Sequence, residues 1–217
     1  MAELHEWEVY GTKFRVDTKY IPIKALGKGA SAHTTGVMLS SHKFSYARAS
    51  VTSRHTHADR PGAYGVVAAA KNKETGTKVA IKKITPMCAT AVDGKHTLRE
   101  IRLMRHLGRH PNIISLKDLV VDVVGDELYV VMELMDTDLH RIITSTQPLG
   151  DAHFKHFLYQ LLRGLRFAHS YGIIHRDLKP ANLLVTKNCD LRISDFGLAR
   201  QMPSDSAVGR LMTEVRS

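Results

Sequence analysis

Two short motifs near the end of the chain constrain its fold and chemistry more than any other feature. Residues 175–182 read HRDLKPAN, which fits the pattern H-R-D-L-x-x-x-N, and residues 195–197 read DFG. A phosphoryl-transfer site needs a carboxylate near the attacking hydroxyl and oxygen ligands for magnesium. Asp177 can accept the hydroxyl proton, while Asn182 and Asp195 offer the hard oxygens that Mg²⁺ prefers. Either motif alone is a weak signal, but their order and the apolar runs around them argue against a chance match.

Composition excludes several classes of protein. The chain of 217 residues has the length of one domain or slightly more, and its 43% hydrophobic content is enough for a core. The formal net charge is +10, but the basic residues are scattered and have no interleaved aromatics, so we expect a solvated basic surface and no direct nucleic-acid binding. Cys88 and Cys189 lack metal-ligand spacing and are predicted to be reduced thiols. Without a signal-peptide pattern or a bilayer-length apolar run, a soluble intracellular protein is expected.

The N-terminal part of the chain predicts an extension followed by a strand. Residues 1–19 are polar and mixed, with isolated aromatic residues, and are expected to pack loosely on the domain that follows. Residues 20–26 alternate in the manner of a strand. Pro22 lacks a backbone donor, which places this strand at the edge of a sheet.

A glycine-rich turn comes next, and it is interrupted. Gly27-Lys28-Gly29-Ala30 begins the pattern G-x-G-x-x-G-x-V, whose glycines let backbone N–H groups approach phosphate oxygens, and Tyr64-Gly65-Val66-Val67 completes it. Residues 31–63 lie between the two parts and show no sustained period, so we expect this insert to be mobile and without its own core. Widening the loop costs only about 2 kcal/mol, so the flanking strands should still pair. The insert is either regulatory or, as its composition favours, a retained non-coding segment.

The next segments predict a strand and a helix that face each other. A strand at residues 67–70 precedes the strand at 78–83, which carries V-A-I-K and places Lys82 to hold the α- and β-phosphates of a nucleotide. Residues 97–107 have helical spacing of apolar side chains, and Gly108 should cap the helix. Glu100 is the candidate partner of Lys82, and its alternative is a surface contact within its own helix.

Two more strands and a long helix are predicted before the first motif. The strands span residues 113–121 and 127–133, and the linker after them could present backbone groups to an adenine edge. Asp138 could either reach a ribose or cap the helix at 139–143. The longest helix is predicted at 151–171 and ends at Gly172. Its apolar stripe is expected to belong to the core: Phe154, Phe157, Leu158, Leu161, Leu162 and Leu165.

These features together give the chain a family resemblance. It resembles the mitogen-activated protein kinases, and among them the extracellular-signal-regulated group. The resemblance covers residues 20–30 and 64–214. It is carried by LMDTDL at 134–139, FLYQLLRGL at 157–165, the two motifs described above and the extension of the second motif to DFGLAR.

The resemblance implies a fold and an activity. The fold is α+β, a two-lobed protein kinase fold with a complete β-rich small lobe at 20–135 and a partial helical large lobe at 136–217. The activity is transfer of the ATP γ-phosphate to Ser or Thr of protein substrates in intracellular signalling, with Mg²⁺, in the cytoplasm and nucleus. Lys179 after H-R-D-L is the residue typical of Ser/Thr kinases. The implied partners are protein substrates and an upstream MAP kinase kinase, with no membrane. The alternative is a catalytically impaired fragment that acts only as a nucleotide-binding module.

The resemblance also implies roles for individual residues. The catalytic residues would be Lys82, Glu100, Asp177 and Lys179. The metal ligands would be Asn182 and Asp195. The ATP-binding residues would be Leu26, Gly27, Lys28, Gly29, Ala30, Gly65, Val67, Ala80, Lys82, Glu133, Met135, Asp138 and Leu184. Thr213 would be the activation-loop phosphosite, with Arg176 as a cationic partner for its phosphate.

The sequence departs from the family in two places, the insert and the C-terminal end. The family's T-E-Y motif reads Thr213-Glu214-Val215 here, and the chain ends at Ser217. We therefore expect a chain truncated after the start of the activation loop, in which dual phosphorylation cannot occur and part of the stripe at 154–165 faces water. Because catalysis of this kind is mostly positioning, we also expect weak Mg-ATP binding and little phosphate transfer by this chain.

Overall fold

The computed structural model describes residues 4–29 and 64–202. Ala30, the insert at 31–63 and Thr213 lie outside the described residues, so the expectations that concern them stay predictions. The described part begins with β-strands and continues into a mainly helical portion that contains short two- and three-residue strands. None of its helices combines the length and the apolar character that crossing a membrane requires.

The first described residues form a hairpin, so the expectation of a loosely packed extension is wrong. Strands β1 (Leu4–Val9) and β2 (Thr12–Asp17) pair antiparallel around Tyr10 and Gly11, both of which have positive φ angles. Two positive φ angles are what a tight two-residue hairpin turn requires. Phe14 is fully buried, and its ring stacks on Trp7 with the centroids 4.6 Å apart. The alternation of apolar and polar residues in this segment was the signal of a half-buried strand.

A buried ion pair fastens the hairpin to the rest of the fold. Lys83 is 3% exposed, and its Nζ donates to the backbone oxygen of Lys13 at 2.5 Å and to Glu127 Oε1 at 2.6 Å. Tyr129 bonds Glu127 through its hydroxyl and accepts from the Arg15 N–H at 2.9 Å. Because each buried polar group has a partner, the network avoids the cost of unsatisfied burial.

Five further strands form one antiparallel sheet. They are β3 (Tyr20–Gly29), β4 (Tyr64–Asn72), β5 (Lys78–Thr85), β6 (Leu116–Asp122) and β7 (Glu127–Glu133), and they lie in the order β3-β4-β5-β7-β6. The prediction that Pro22 marks an edge strand is confirmed. The strands on either side of the insert also pair as predicted, with Gly29 opposite Gly65 and Gly27 opposite Val67.

Helix α1 spans Ala91–Leu107 and begins six residues before the predicted start. Thr90 caps it by accepting from the Asp93 N–H at 3.1 Å, a Thr-x-x-acid arrangement that the sequence also displays. Gly108 ends the helix, and its N–H bonds the Met104 carbonyl at 2.8 Å. Leu98 is one of the apolar residues at helical spacing in segment 97–107, but its side chain is 48% exposed.

The strand predicted at 113–121 was placed too early. Ile113 and Ile114 are buried, but the strand begins at Leu116. Instead of joining the five-stranded sheet, Ile113 forms an isolated parallel bridge to Ile193, and the Ile114 N–H bonds the Ile193 carbonyl at 3.0 Å. An apolar run shows burial but not which partner a strand pairs with.

The remaining elements surround the two motifs. They are β8 (Thr137–Asp138), α2 (Leu139–Thr144), α3 (Asp151–Ser170), β9 (Ile173–Ile174), β10 (Leu183–Val185), β11 (Leu191–Ile193) and β12 (Arg200–Gln201). Helix α3 matches its prediction to within one residue, and Gly172 follows it with a φ of 67°.

The apolar stripe of α3 is only partly core. Phe157 is 5% exposed and packs in one cluster with Ile113, Leu191 and other buried residues. In contrast, Phe154, Leu158 and Leu162 are each more than half exposed, so the expectation that the whole stripe is core is wrong. The expectation that part of the stripe faces water is confirmed.

Candidate active site

An ion pair joins the middle of the sheet to helix α1. Lys82 lies on the central strand β5, and its Nζ is 3.3 Å from Glu100 Oε2. Burial disfavours the charged ammonium, but the negative charges of Glu100 and Asp195 outweigh it and raise the pKa of Lys82. Lys82 is therefore a fixed positive charge at neutral pH. Of the two alternatives for Glu100, the structure shows the contact to Lys82.

The predicted nucleotide-contact residues of the sheet form one apolar cluster. Leu26, Val67 and Ala80 are at most 6% exposed and pack with Leu134. Beside them Gly65 is buried, and a Cβ added there would lie 3.7 Å from Lys82 Cε. The missing side chain at Gly65 therefore leaves space next to the lysine stem, which is what a phosphate chain approaching Lys82 requires. The other glycine-rich residues, Gly27, Lys28 and Gly29, lie on β3 opposite Val67, Val66 and Gly65.

The linker after β7 is held by its neighbours at two points. Glu133 donates its N–H to the Ser115 carbonyl at 3.1 Å, and the Asp136 N–H bonds the Val185 carbonyl at 3.1 Å. Between them Met135 is 1% exposed and shares a cluster with Leu184. Within residues 4–29 and 64–202, the N–H of Met135 has no hydrogen-bond partner. The predicted donor for an adenine edge is thus available.

Asp138 serves as a helix cap. Its Oδ1 accepts from the Arg141 N–H at 2.9 Å, and the residue is only 5% exposed. The capping alternative left open by the sequence is therefore the one that the structure shows. The ribose contact stays a prediction.

The catalytic-loop motif converges on one carboxylate oxygen. Asp177 Oδ2 accepts from Lys179 Nζ at 2.7 Å and from Asn182 Nδ2 at 3.0 Å. Partial burial works against ionisation, but the bond and charge of Lys179, together with the Asn182 bond, lower the pKa of Asp177 below its usual value. Asp177 is therefore an oriented carboxylate that is ionised at neutral pH.

His175 links the catalytic loop at residues 175–182 to the backbone before the second motif, a role that the motif alone did not reveal. It is 2% exposed, and its Nδ1 accepts from the Asp177 N–H at 3.2 Å. That bond assigns the ring proton to Nε2, which donates to the Ser194 carbonyl at 2.8 Å. Burial lowers the pKa of His175, so the ring is neutral and serves as a spacer between the two motifs. The ring also lies 4.9 Å from that of Phe196.

The two proposed metal ligands are held close along the backbone. Ser194, which precedes Asp195, bonds the Asn182 carbonyl through both its N–H and its hydroxyl, each at 2.9 Å. Asn182 is fully buried and its Nδ2 donates to Asp177, yet its Oδ1 has no hydrogen-bond partner. An orphaned buried oxygen needs an explanation, and a cation is one.

The donor set fits magnesium and not a protein-only metal cage. No group of three or more His, Cys, Asp or Glu among the described residues is arranged to hold an ion. Mg²⁺ usually takes one or two protein ligands and completes its shell with water and substrate phosphates. Asn182 and Asp195 are enough for that mode of binding.

Two features of the site, one conformation and one contact, were not predicted from the sequence. Asp195 adopts a left-handed conformation, with φ 63° and ψ 66°, and Arg99 Nη1 donates to the Gly197 carbonyl at 2.8 Å. Left-handed geometry at a non-glycine residue is strained and concentrates at functional sites. Neither feature leaves a local pattern that sequence reasoning could use.

Comparisons with known proteins agree with this geometry. Residues 61–216 match the protein kinase domain family. The chain is 46% identical to mitogen-activated protein kinase 4 of Oryza sativa subsp. japonica over 213 residues, which cover 97% of this chain and 48% of the relative. It is 46% identical to mitogen-activated protein kinase 7 of Arabidopsis thaliana over 199 residues, 90% of this chain and 45% of the relative. The chain thus spans about half the length of the curated relatives it matches.

Proposed function

Because the chain belongs to the protein kinase family, we propose that its protein transfers the γ-phosphate of ATP to Ser or Thr of protein substrates, in the manner of a mitogen-activated protein kinase. The α+β, two-lobed kinase fold expected from the sequence is the observed one. We further propose the boundary between the lobes at residues 135 and 136, with residues 1–19 preceding the small lobe.

The observation that carries the proposal is the double contact on Asp177 Oδ2. Lys179 and Asn182 fix the carboxylate, so one oxygen is committed to them and the group can orient a substrate hydroxyl with the other. A carboxylate with a lowered pKa is a weak base, so Asp177 would take the hydroxyl proton late. By then the hydroxyl oxygen bonds to the γ-phosphorus, the bond from that phosphorus to the bridging oxygen of the β-phosphate breaks, and ADP leaves. Lys179 would compensate the negative charge that gathers beside Asp177. This division of labour suits a reaction governed by positioning and electrostatics.

Asn182 Oδ1 and Asp195 would hold Mg²⁺, which when bound neutralises charge on the β- and γ-phosphates. Lys82 would bind the α- and β-phosphates as an ammonium that Glu100 keeps in place. The backbone of residues 27–29 and Gly65 would cradle the phosphates. Since β3 and β4 pair through Gly29 and Gly65, the strand framework for that cradle is present.

We propose the adenine site between two apolar groups of side chains. Leu26, Val67 and Ala80 would contact one face of the base, and Leu184 would contact the other. The carbonyl of Glu133 and the unpaired N–H of Met135 would meet the polar edge. Asp138 would contact the ribose only through a carboxylate that already caps α2, so we expect that contact to be weak.

We further propose the partners and compartment that the resemblance to mitogen-activated protein kinases implies. They are protein substrates and an upstream MAP kinase kinase that phosphorylates Thr213, in the cytoplasm and nucleus. Arg176 would pair with the phosphate of Thr213.

A second candidate is a nucleotide-binding module that does not transfer phosphate. The exposure of Phe154, Leu158 and Leu162 on α3 favours it. Helix α3 leads into the catalytic loop, so the packing of its exposed face would affect the position of that loop.

The experiment that separates the two candidates measures binding and transfer independently. Affinity is titrated with a fluorescent ATP analogue and Mg²⁺, and transfer is measured with γ-radiolabelled ATP and a Ser-Pro peptide. The chain is assayed alone and as a chimera continued by the matching second half of the rice relative. The kinase proposal expects transfer by the chimera and its loss in Asp177→Asn with binding kept. Binding without transfer by either protein would favour the module, and absence of binding would overturn both.

A further inference from the structure

One side chain of helix α1 reaches across to the second motif. Arg99 Nη1 donates to the carbonyl oxygen of Gly197 at 2.8 Å. The next residue in the helix, Glu100, contacts Lys82 at 3.3 Å. Two neighbouring residues of one helical turn therefore hold two parts of the site that are more than a hundred residues apart in the chain, the phosphate-binding lysine and the turn at 195–197.

The turn at 195–197 needs external support because its backbone is strained. Asp195 has a left-handed conformation, which a non-glycine residue keeps only when its surroundings impose it. Phe196 supplies one constraint, since it is fully buried against His175. The bond from Arg99 to Gly197 supplies a second constraint, on the residue that follows Phe196.

Gly197 is close enough to Asp195 for this support to reach the metal ligand. A Cβ added to Gly197 would lie 3.4 Å from Asp195 Oδ1, so the carboxylate rests against the backbone of Gly197. Fixing the Gly197 carbonyl thus restricts the surface against which the Asp195 carboxylate packs. A shift of the turn would move that carboxylate with it.

The position of Arg99 is not explained by charge attraction. Burial and the positive charges of Arg200 and Arg176 all lower its pKa, so the guanidinium lies among like charges. The hydrogen bond to Gly197 is the favourable contact that holds it there. A bond from a charged donor is stronger than one from a neutral donor, which suits a contact that must bridge two elements.

We infer that Arg99 is a positioning residue that fastens the turn at 195–197 to helix α1 and thereby sets the Mg²⁺-dependent part of nucleotide affinity. Only the part of the inference that concerns Mg²⁺-dependent nucleotide affinity rests on the proposed function. The other part concerns the chain without any ligand. Arg99 is none of the residues proposed to hold nucleotide or metal, and it would act through Gly197 and Asp195.

The first test measures hydrogen–deuterium exchange of the ligand-free chain. Arg99→Met removes the donors and keeps a long side chain, and Arg102→Met is the matched control. Arg102 lies on the same helix and, like Arg99, lines a cavity of about 750 Å³, but its side chain makes no hydrogen bond or ion pair with any of the described residues. Loss of a charge-assisted bond should speed exchange of the peptide covering residues 194–199 by about 10-fold in Arg99→Met and not in Arg102→Met. Equal exchange in all three proteins would overturn the inference.

The second test measures affinity for a fluorescent ATP analogue with Mg²⁺ and with EDTA. Arg99→Met should reduce the ratio of the two affinities about 10-fold, leave the EDTA value within about 2-fold, and recover in part in Arg99→Lys, which keeps a charged donor. An unchanged ratio despite faster exchange would overturn the role in metal binding. If the unaltered chain shows no Mg²⁺-dependent binding, the proposed function fails, and the exchange data still decide whether Arg99 holds the turn. Should Arg99→Met fail to fold, Arg99→Gln and Arg99→Lys provide both comparisons.

Discussion

Lys82 Nζ lies 3.3 Å from Glu100 Oε2, and this contact joins the central strand of the sheet to helix α1. The same helix contacts the second motif through the bond from Arg99 to Gly197. The pair is largely buried, with 25% and 13% of the two side chains accessible, so each charge depends on the other for compensation. Its value lies in keeping an ammonium charged and oriented next to the space beside Gly65.

We therefore predict that Lys82→Met weakens binding of a fluorescent ATP analogue by at least about 10-fold, because a lost charged contact to phosphate costs more than about 1.4 kcal/mol. Lys78→Met is the control, because Lys78 is an exposed lysine at the start of the same strand. Equal weakening in both variants would show that general charge, and not the site, binds the nucleotide.

The N-terminal hairpin should contribute substantially to stability. Phe14 is fully buried between Trp7 and Tyr129, with ring centroids at 4.6 Å and 5.8 Å. Phe14→Ala should lower the free energy of unfolding by about 3–5 kcal/mol, the usual cost of removing a buried aromatic ring. Leu4→Ala, at a residue of the same hairpin that is 51% exposed, should cost less than about 1 kcal/mol. Urea denaturation measures both free energies of unfolding. Similar costs for the two variants would support the expectation that residues 1–19 pack loosely.

The sequence predicted those parts of the structure that depend on local periodicity or on a short motif. Helix α3 could be placed to within one residue because its apolar stripe is long. The grouping of Asp177 with Asn182 was predictable because both belong to one short motif. The contact between Lys82 and Glu100 was one of the two alternatives left open for Glu100. The pairing of β3 with β4 across the insert was predictable because the free-energy cost of closing a loop grows only slowly with its length.

The features that escaped prediction depend on packing between distant segments. Asn112 Nδ2 donates to Gln160 Oε1 at 3.1 Å across a sequence separation of 48, and Arg99 reaches Gly197 across 98. Such bonds have no spacing rule, since the chain path decides which groups meet. The early start of α1, in contrast, has a local signal in the sequence, because Thr90 and Asp93 form a capping pattern that predicts a helix start at this point. The hairpin of β1 and β2 was also visible as a short alternation.

Two glycines in helices should respond to alanine with opposite signs. A Cβ at Gly164 would lie 2.8 Å from Ile193 Cδ1 and 3.0 Å from the Asn112 carbonyl, a backbone atom that cannot move aside cheaply. Overpacking of about 1–3 kcal/mol should exceed the helix-propensity gain of about 1 kcal/mol, so Gly164→Ala is expected to destabilise. At Gly94 the nearest atom is Cys88 Sγ at 2.7 Å, on an exposed side chain that can rotate away.

Gly94→Ala should therefore stabilise the protein by roughly 0.5–1 kcal/mol, the propensity gain alone. Thermal and urea unfolding of the two variants provide the comparison. Stabilisation by Gly164→Ala would mean that α3 does not approach β11 as closely as the structure shows.

The last prediction concerns pH and His110. Its Nδ1 accepts from the Asn112 N–H at 3.1 Å, and its ring stacks on Phe167 at 4.5 Å. Burial lowers the pKa of His110, and the positive charges of Arg163 and Arg192 lower it further. In the pH range between this lowered pKa and the unfolded value of about 6.5, the unfolded chain binds more protons. The free energy of unfolding therefore rises with pH there, and it falls on acidification.

We expect His110→Asn to reduce this dependence, because Asn can accept the backbone bond but does not titrate. Urea unfolding at about pH 7.5 and about pH 5.5 should show a smaller loss of stability on acidification in the variant than in the unaltered chain. His140→Asn, at an exposed position on α2, serves as the control and should leave the loss unchanged. If the loss in His110→Asn equals that of the unaltered chain, His110 is not held neutral by its surroundings.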